Sequence, residues 1–190
     1  MKKNLFLDGS LHPCRIGLCH HYETAKWHGR AVDGLFSSLD ELFKTRRMSP
    51  EDVECIVACA GPGNKMGLRA VKMFIGTAEA IGMGKPIYAY NGLEAEARWI
   101  VRSMSLRDFS VIAPIGKKRG AAITVTGGIL GKTFAVENSN FSGNGRTFAM
   151  DTGFLPADGN FEAAPEVPPN FLIGALATMA QSKTFAPIEL

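Results

Sequence analysis

The sequence is short of the residues from which cross-linked, membrane-embedded or strongly charged proteins are built. Its 190 residues include 4 Cys and 2 Trp. Cys14, Cys19, Cys55 and Cys59 lack the paired C-x-x-C spacing of a zinc ribbon and are too sparse for a disulfide scaffold, so they read as reduced thiols. Cys55 and Cys59 would share one strand face, but at strand rise they lie about 13 Å apart, beyond disulfide reach. Long apolar runs are also missing. Leu5-Phe6-Leu7 is stopped by Asp8, far short of a secretory core, and no stretch approaches the roughly 20 apolar residues of a membrane span. Neither sign of charge dominates, since the net +3 is scattered over Lys2, Lys3, Arg46, Arg47 and Lys117-Lys118-Arg119. No basic tract marks a nucleic-acid arm. The expectation is a soluble, cytoplasmic protein with no membrane contact.

What is present is globular: 46% hydrophobic and 21% charged residues fit one domain or two small lobes. Asn4 to Asp8 and Arg15 to His20 read as a strand hairpin around a Gly9/Pro13 turn, with a third, polar strand in residues 21–28. Ala31, Val32, Leu35, Phe36, Leu39, Leu42 and Phe43 recur at helical spacing. Ser49-Pro50-Glu51-Asp52 signals a one-turn helix start. Cys55 to Cys59 forms a buried strand, a helix runs from about Gly67 to Gly82, Pro86 to Tyr90 is the next strand, and Leu93, Ala97, Ile100, Val101 and Met104 mark a third helix. The order βββαβαβα calls for an α/β fold, a mixed sheet with helices packed on it. From Ser110 a second, shorter lobe starts, with strands at 110–115, 120–126 and 129–136, an irregular stretch over 138–168 and a last helix from Asn170 to Gln181. The expected division is 1–106 and 107–190.

Catalytic constellations are hard to find. No GxSxG elbow occurs, and no Ser or Cys stands beside a His with an orienting acid, so peptidase chemistry gains no support. His20 and His21, adjacent on a strand, would point to opposite faces and make a poor metal pair with Cys14 and Cys19. Asp8-Gly9 reads as a strand ending in a turn. Gly61-Pro62-Gly63 leads into a helix, with Lys65 and Arg69 nearby. It has no Walker spacing, and two readings stay open: an anion site at the helix start, or a tight turn that needs glycine whatever the ligand.

Ser49 to Ala97, with Gly61, Pro62, Gly63, Gly67, Leu68 and Arg69 in place, resembles the GPGSFTGLRIG segment of the TsaB (YeaZ) family. That family is glycoprotease-like and belongs to the actin-like ATPase superfamily. Trp27 to Arg30 resembles the family's HSE segment, and Phe185 to Ile188 its closing PxYxR-like tail. Departures accompany the matches. Asn64, Lys65 and Met66 replace Ser-Phe-Thr, Asp8-Gly9-Ser10-Leu11 stands for DTST, and Ile115 to Ala122 replaces IDARRGEVY with the loss of two acids. Asn91 to Glu96 lies in register with the NHLEAH segment of the catalytic relative TsaD, with Gly92 and Glu96 at the two metal-binding histidine positions. One carboxylate does not replace two imidazoles.

The resemblance implies actin-like (ribonuclease H-like) lobes, the second truncated, in a scaffold with no catalytic residues, no metal and no cofactor of its own. It implies pairing with a TsaD-like subunit, TsaE as a further partner, tRNA engaged only indirectly in threonylcarbamoyladenosine formation, and a homodimer when isolated. The helix from Gly67 is apolar nearly all round, so one stripe is expected to meet another chain; burial under the second lobe is the alternative. Val32, Phe36, Leu39, Met73, Phe74 and Thr77 are the candidate interface residues. The competing readings are an ATP-binding or phosphotransferase relative, and a degenerate relative that self-associates.

Overall fold

The computed structural model describes residues 3–11, 14–19, 28–30, 35–80, 84–116, 118–138, 141–143, 145–150, 160–174 and 181–182. Two sheets are present, with a helix between them. The first contains β1 (Lys3–Asp8), β2 (Cys14–Cys19), β3 (His28–Arg30), β4 (Val53–Gly61), β5 (Ile87–Asn91) and a late strand, β12 (Gln181–Ser182), in the order β12-β5-β4-β1-β2-β3. β1, β2 and β3 pair antiparallel, whereas β4 and β5 run parallel to β1. Helix α1 (Leu35–Thr45) precedes β4, α2 (Lys65–Ala80) follows it, and α3 (Gly92–Met104) leads out of β5. The expected order βββαβαβα is therefore the observed one, with the third strand at His28–Arg30; residues 21–27, where it was expected, lie outside the described residues.

The period-2 alternation of β1 and β4 decides what packs where. Leu5 and Leu7 of β1 and Ile56, Ala58 and Ala60 of β4 face one side, where Leu39 and Leu42 of α1 and Val71, Phe74 and Ile75 of α2 cover them. Phe6, Cys55, Val57 and Cys59 face the other side and meet Tyr90, Ala95, Val167 and Leu172. Buried on both faces, β1 and β4 read as nearly continuous apolar runs, as parallel central strands do. The four cysteines are buried and none is in a disulfide. The one-turn helix foreseen at Ser49 is a 3₁₀ turn over Pro50–Asp52, closed by the Ser49 N–H donating to Asp52 Oδ2 at 2.9 Å.

The second sheet has β6 (Phe109–Pro114), β7 (Arg119–Thr126), β8 (Ile129–Leu130), β9 (Phe134–Glu137), β10 (Arg146–Ala149) and β11 (Glu162–Ala163). Its order is β11-β10-β6-β7-β8, with β9 also on β7. The strand expected over 129–136 is thus two strands, since Gly131–Thr133 leaves the ladder between them. The stretch expected to be irregular carries β10 and β11, which pair parallel to each other and, through β10, to β6. The closing helix expected from Asn170 to Gln181 is described as α4 (Pro169–Gly174); residues 175–180 lie outside the described residues, and Gln181 belongs to β12 instead. Leu93, Ala97 and Ile100 of α3 pack on Phe109, Val111, Ile123, Val125 and Phe148 of this sheet. The same helix turns Ala95 and the partly buried Trp99 toward the first sheet and α4, where the Trp99 and Phe171 rings meet at a tilt of 56° with centroids 5.1 Å apart. No helix among the described residues is long and apolar enough to cross a membrane.

Candidate functional site

The Gly61-Pro62-Gly63 loop joins β4 to α2 and is buried. Asn64 begins the helix. Its Oδ1 accepts from the Met66 N–H at 3.0 Å and the Gly67 N–H at 3.4 Å, and its carbonyl accepts from the Leu68 N–H at 3.0 Å. Its own N–H donates to the Ser10 carbonyl at 2.7 Å. Asn64 is therefore an N-cap that also ties α2 to the turn after β1. Behind it the backbones touch. A Cβ on Gly67 would collide with the Gly9 carbonyl oxygen, one on Gly9 with the Gly67 carbonyl, and one on Gly63 with the Ser10 carbonyl. Gly61, at φ +101°, takes a conformation that L side chains rarely adopt. Of the two readings of this loop, the structure supports the tight turn: the helix-start N–H groups of Met66 and Gly67 are occupied by Asn64, and Lys65 and Arg69 point to solvent.

A second cluster lies where β1, β5 and α3 end or begin, in a cleft lined by Asp8, Leu11, Arg15, Tyr90, Gly92, Ala95, Glu96, Met150 and Val167. Asp8 closes its own turn: Oδ1 accepts from the Ser10 N–H at 2.9 Å and the Ser10 hydroxyl at 2.5 Å. The Tyr90 hydroxyl donates to Asp8 Oδ2 at 3.4 Å. Asn91 caps α3 by accepting from the N–H groups of Leu93 and Glu94 at 3.0 and 3.3 Å. That cap starts the helix so that Gly92 and Glu96, one turn apart, both line the cleft. Glu96 is 5% exposed, and its Oε1 has no hydrogen-bond partner among the described residues. Burial pushes its carboxyl up to about 8; Arg15 opposes the shift, and Asp8 and Glu166 add to it. Burial, then Asp8, also holds the Tyr90 phenol and the Cys59 thiol well above their ordinary values. The Cys55 thiol is raised by burial to about 12. These thiols are protonated near neutrality and serve packing. No group of three or more metal-ligating side chains occurs among the described residues.

YeaZ from Pseudomonas aeruginosa matches this structure over 100% of both chains with a TM-score of 0.69, at 17% sequence identity. The chain has the YeaZ fold. A second Pseudomonas aeruginosa structure, an uncharacterized protein with similarity to peptidase YeaZ, matches equally over both full chains at 18% identity and a TM-score of 0.69. In sequence, 73 residues are 41% identical to the tRNA N6-adenosine threonylcarbamoyltransferase of Rhizobium johnstonii. The Rhizobium etli transferase is 40% identical over 73 residues. These segments make up 38% of this chain and 19% of the transferases, so the chain matches about a fifth of the length of these curated relatives. No protein-family model matches the sequence.

Within the YeaZ fold the six candidate interface residues separate. Leu39 and Phe74 belong to the chain's own core beneath the first sheet, Phe74 being 8% exposed. A charge at Phe74 would therefore unfold the lobe before it tested any pairing. Met73 is 67% exposed, and Thr77 lies one turn on with its hydroxyl donating to the Met73 carbonyl at 2.9 Å. Met66, 60% exposed, extends the same outward side of α2. Val32 and the side chain of Phe36 lie outside the described residues, as do His20 and His21. The helix is covered on one side by the first sheet, and the core of the second sheet is built on α3. The sequence reading missed the burial of Glu96, although its place at i+3 from Leu93 and i−4 from Ile100 puts an acid on an apolar face.

Two expectations follow from this geometry. Gly67→Ala should lower unfolding free energy by about 2–4 kcal/mol, because backbone rather than a flexible side chain must move, whereas Asn64→Ala should lose about 1 kcal/mol of capping. Urea melts check both, and equal, negligible losses would contradict the tight-turn reading. For Glu96, both folded and unfolded chains hold its proton below pH 4.5, its ordinary value, and only the folded chain holds it from there to about 8. Stability contributed at this site is thus lost as pH rises through that window. Glu96→Gln should flatten the fall in melting temperature between those limits; an unchanged slope would contradict it.

Proposed function

We propose that this protein is a non-catalytic scaffold that pairs with a TsaD-like subunit and supports threonylcarbamoyl transfer to tRNA adenosine in the cytoplasm. It meets tRNA only through that partner, and TsaE is a further partner. The observation that carries the proposal is the match of the whole chain to YeaZ. The stretch of sequence shared with two tRNA N6-adenosine threonylcarbamoyltransferases connects the chain to the same modification.

The outward side of α2 is the pairing surface in this reading. Met66 and Met73 are large, flexible apolar side chains standing in solvent, with Gly76 and Thr77 as small neighbours that let another helix approach. Each methionine buried there contributes about 1.5–3 kcal/mol before the cost of association. In the absence of the partner, the same side serves self-association. A scaffold role, rather than transfer chemistry, is supported by the pair at the register of the transferase's histidines, a glycine and a buried carboxylic acid.

Met73→Glu and Thr77→Arg change exposed positions and should leave the melting temperature within about 2 °C. Calorimetric titration with a TsaD-like subunit from the same source should show pairing weakened by about tenfold or more. Equal affinity for parent and variants would remove α2 from the interface. A parallel titration with ATP and magnesium tests the phosphotransferase alternative, and micromolar binding with turnover would overturn the scaffold reading.

A further inference from the structure

The exposed residues of α2 fall into two rows. Lys65, Arg69 and Lys72 stand at i, i+4 and i+7, which puts them within about 60° of one another around the helix and over roughly 10 Å along it. Met66 and Met73 form the adjoining row. All three cations are exposed, and none has an ion pair among the described residues. The single acid of α2, Glu79, lies seven residues beyond Lys72, outside the i+4 spacing at which helix ion pairs form. Cations in this place work against the helix that carries them. Lys65 is the first residue of α2, where the positive end of the helix dipole opposes it, no acid in the first turn offsets it, and Arg69 at i+4 repels it. Helix α1 shows the opposite arrangement, with Lys44 in its last turn and paired with Asp40. A row that breaks a local rule with no return inside its own chain marks a place where the sequence serves something besides the fold.

We propose that the partner meets α2 with an acidic amphipathic helix, its carboxylates set over two turns beside an apolar stripe, so that Lys65, Arg69 and Lys72 steer and orient the pairing while Met66 and Met73 are buried. This rests on the reading of α2 as the pairing surface and adds the chemistry of what covers it. Three unopposed cations call for carboxylates, and the methionines beside them call for apolar side chains. A protein surface supplies both. A nucleic-acid backbone supplies anions alone and leaves the methionines in water. A second copy of this chain is a poorer match, because its α2 brings three cations and one acid against the same three cations. The row therefore favours an acidic partner over self-association.

The test is stopped-flow association of the whole chain with a TsaD-like subunit from the same source, between about 50 and 500 mM sodium chloride. The association rate of the parent should fall about tenfold over that range. A variant carrying Lys65→Gln, Arg69→Gln and Lys72→Gln should associate about tenfold more slowly at the low-salt end and show little further dependence on salt. Its melting temperature should equal or exceed the parent's, since cations leave the N-terminal turn. Met73→Glu should instead act mainly on dissociation. A parent association rate independent of salt, or a triple variant that matches the parent, would overturn the acidic partner and leave the scaffold reading standing, whereas no pairing by the parent would overturn both. Binding of a tRNA transcript by the isolated parent and not by the triple variant would give the row to nucleic acid and overturn the proposal as well. The parent's salt profile decides the matter even if the variant fails to fold.

Discussion

Gly9 and Gly67 approach so closely that neither position has room for a Cβ, and the first lobe is arranged around that contact. With the turn after β1 pressed against the first turn of α2, the helix can take only one height and rotation over the sheet. Asn64 fixes that rotation further by capping α2 and donating to Ser10 in the same turn. The consequence is a helix that sends Leu68, Val71, Phe74 and Ile75 into the core and leaves Met66 and Met73 outside. The side of α2 left in solvent is thus set by a backbone contact at the helix's first turn, beside the loop where Asn64, Lys65 and Met66 replace Ser-Phe-Thr.

The same turn places Asp8 at the cleft, and α3 supplies the rest. This helix serves both cores, with Leu93, Ala97 and Ile100 on the second sheet and Ala95 toward the first. A helix so placed has few positions left for polar groups, and Glu96 occupies one of them at the junction. Its neutral form is tolerated because burial disfavours the charge and Arg15 is shared with Asp8. The two features of the molecule that look outward, the α2 side and the cleft, are therefore consequences of how one turn and one helix are packed.

Much of this was legible in the sequence where periodicity was strong. The short apolar runs of β1 and β4 and the helical spacing of Leu68, Val71, Ile75 and Ala78 in α2 lead directly to the observed βββαβαβα order. Phe74 was within reach as well, since it lies three residues after Val71 and four before Ala78, on the buried face; its neighbour Met73, rotated by about 100°, is the exposed one. The second lobe was less legible, because β10 is four residues long and β11 two, and both are set among glycine, asparagine and proline, where pairing depends on distant strands rather than local pattern. The cap made by Asn64 required knowing that the substituted loop residue sits at a helix start. The open choice between turn and anion site could be settled only by the backbone contacts.

The account as a whole depends on this chain being half of a pair. Light scattering on the protein, on a TsaD-like subunit and on their equimolar mixture measures that directly. The account predicts a single species whose mass is the sum of one copy of each, replacing any homodimer of the 20.5 kDa chain. Two species that elute with their separate masses at micromolar concentration would contradict it.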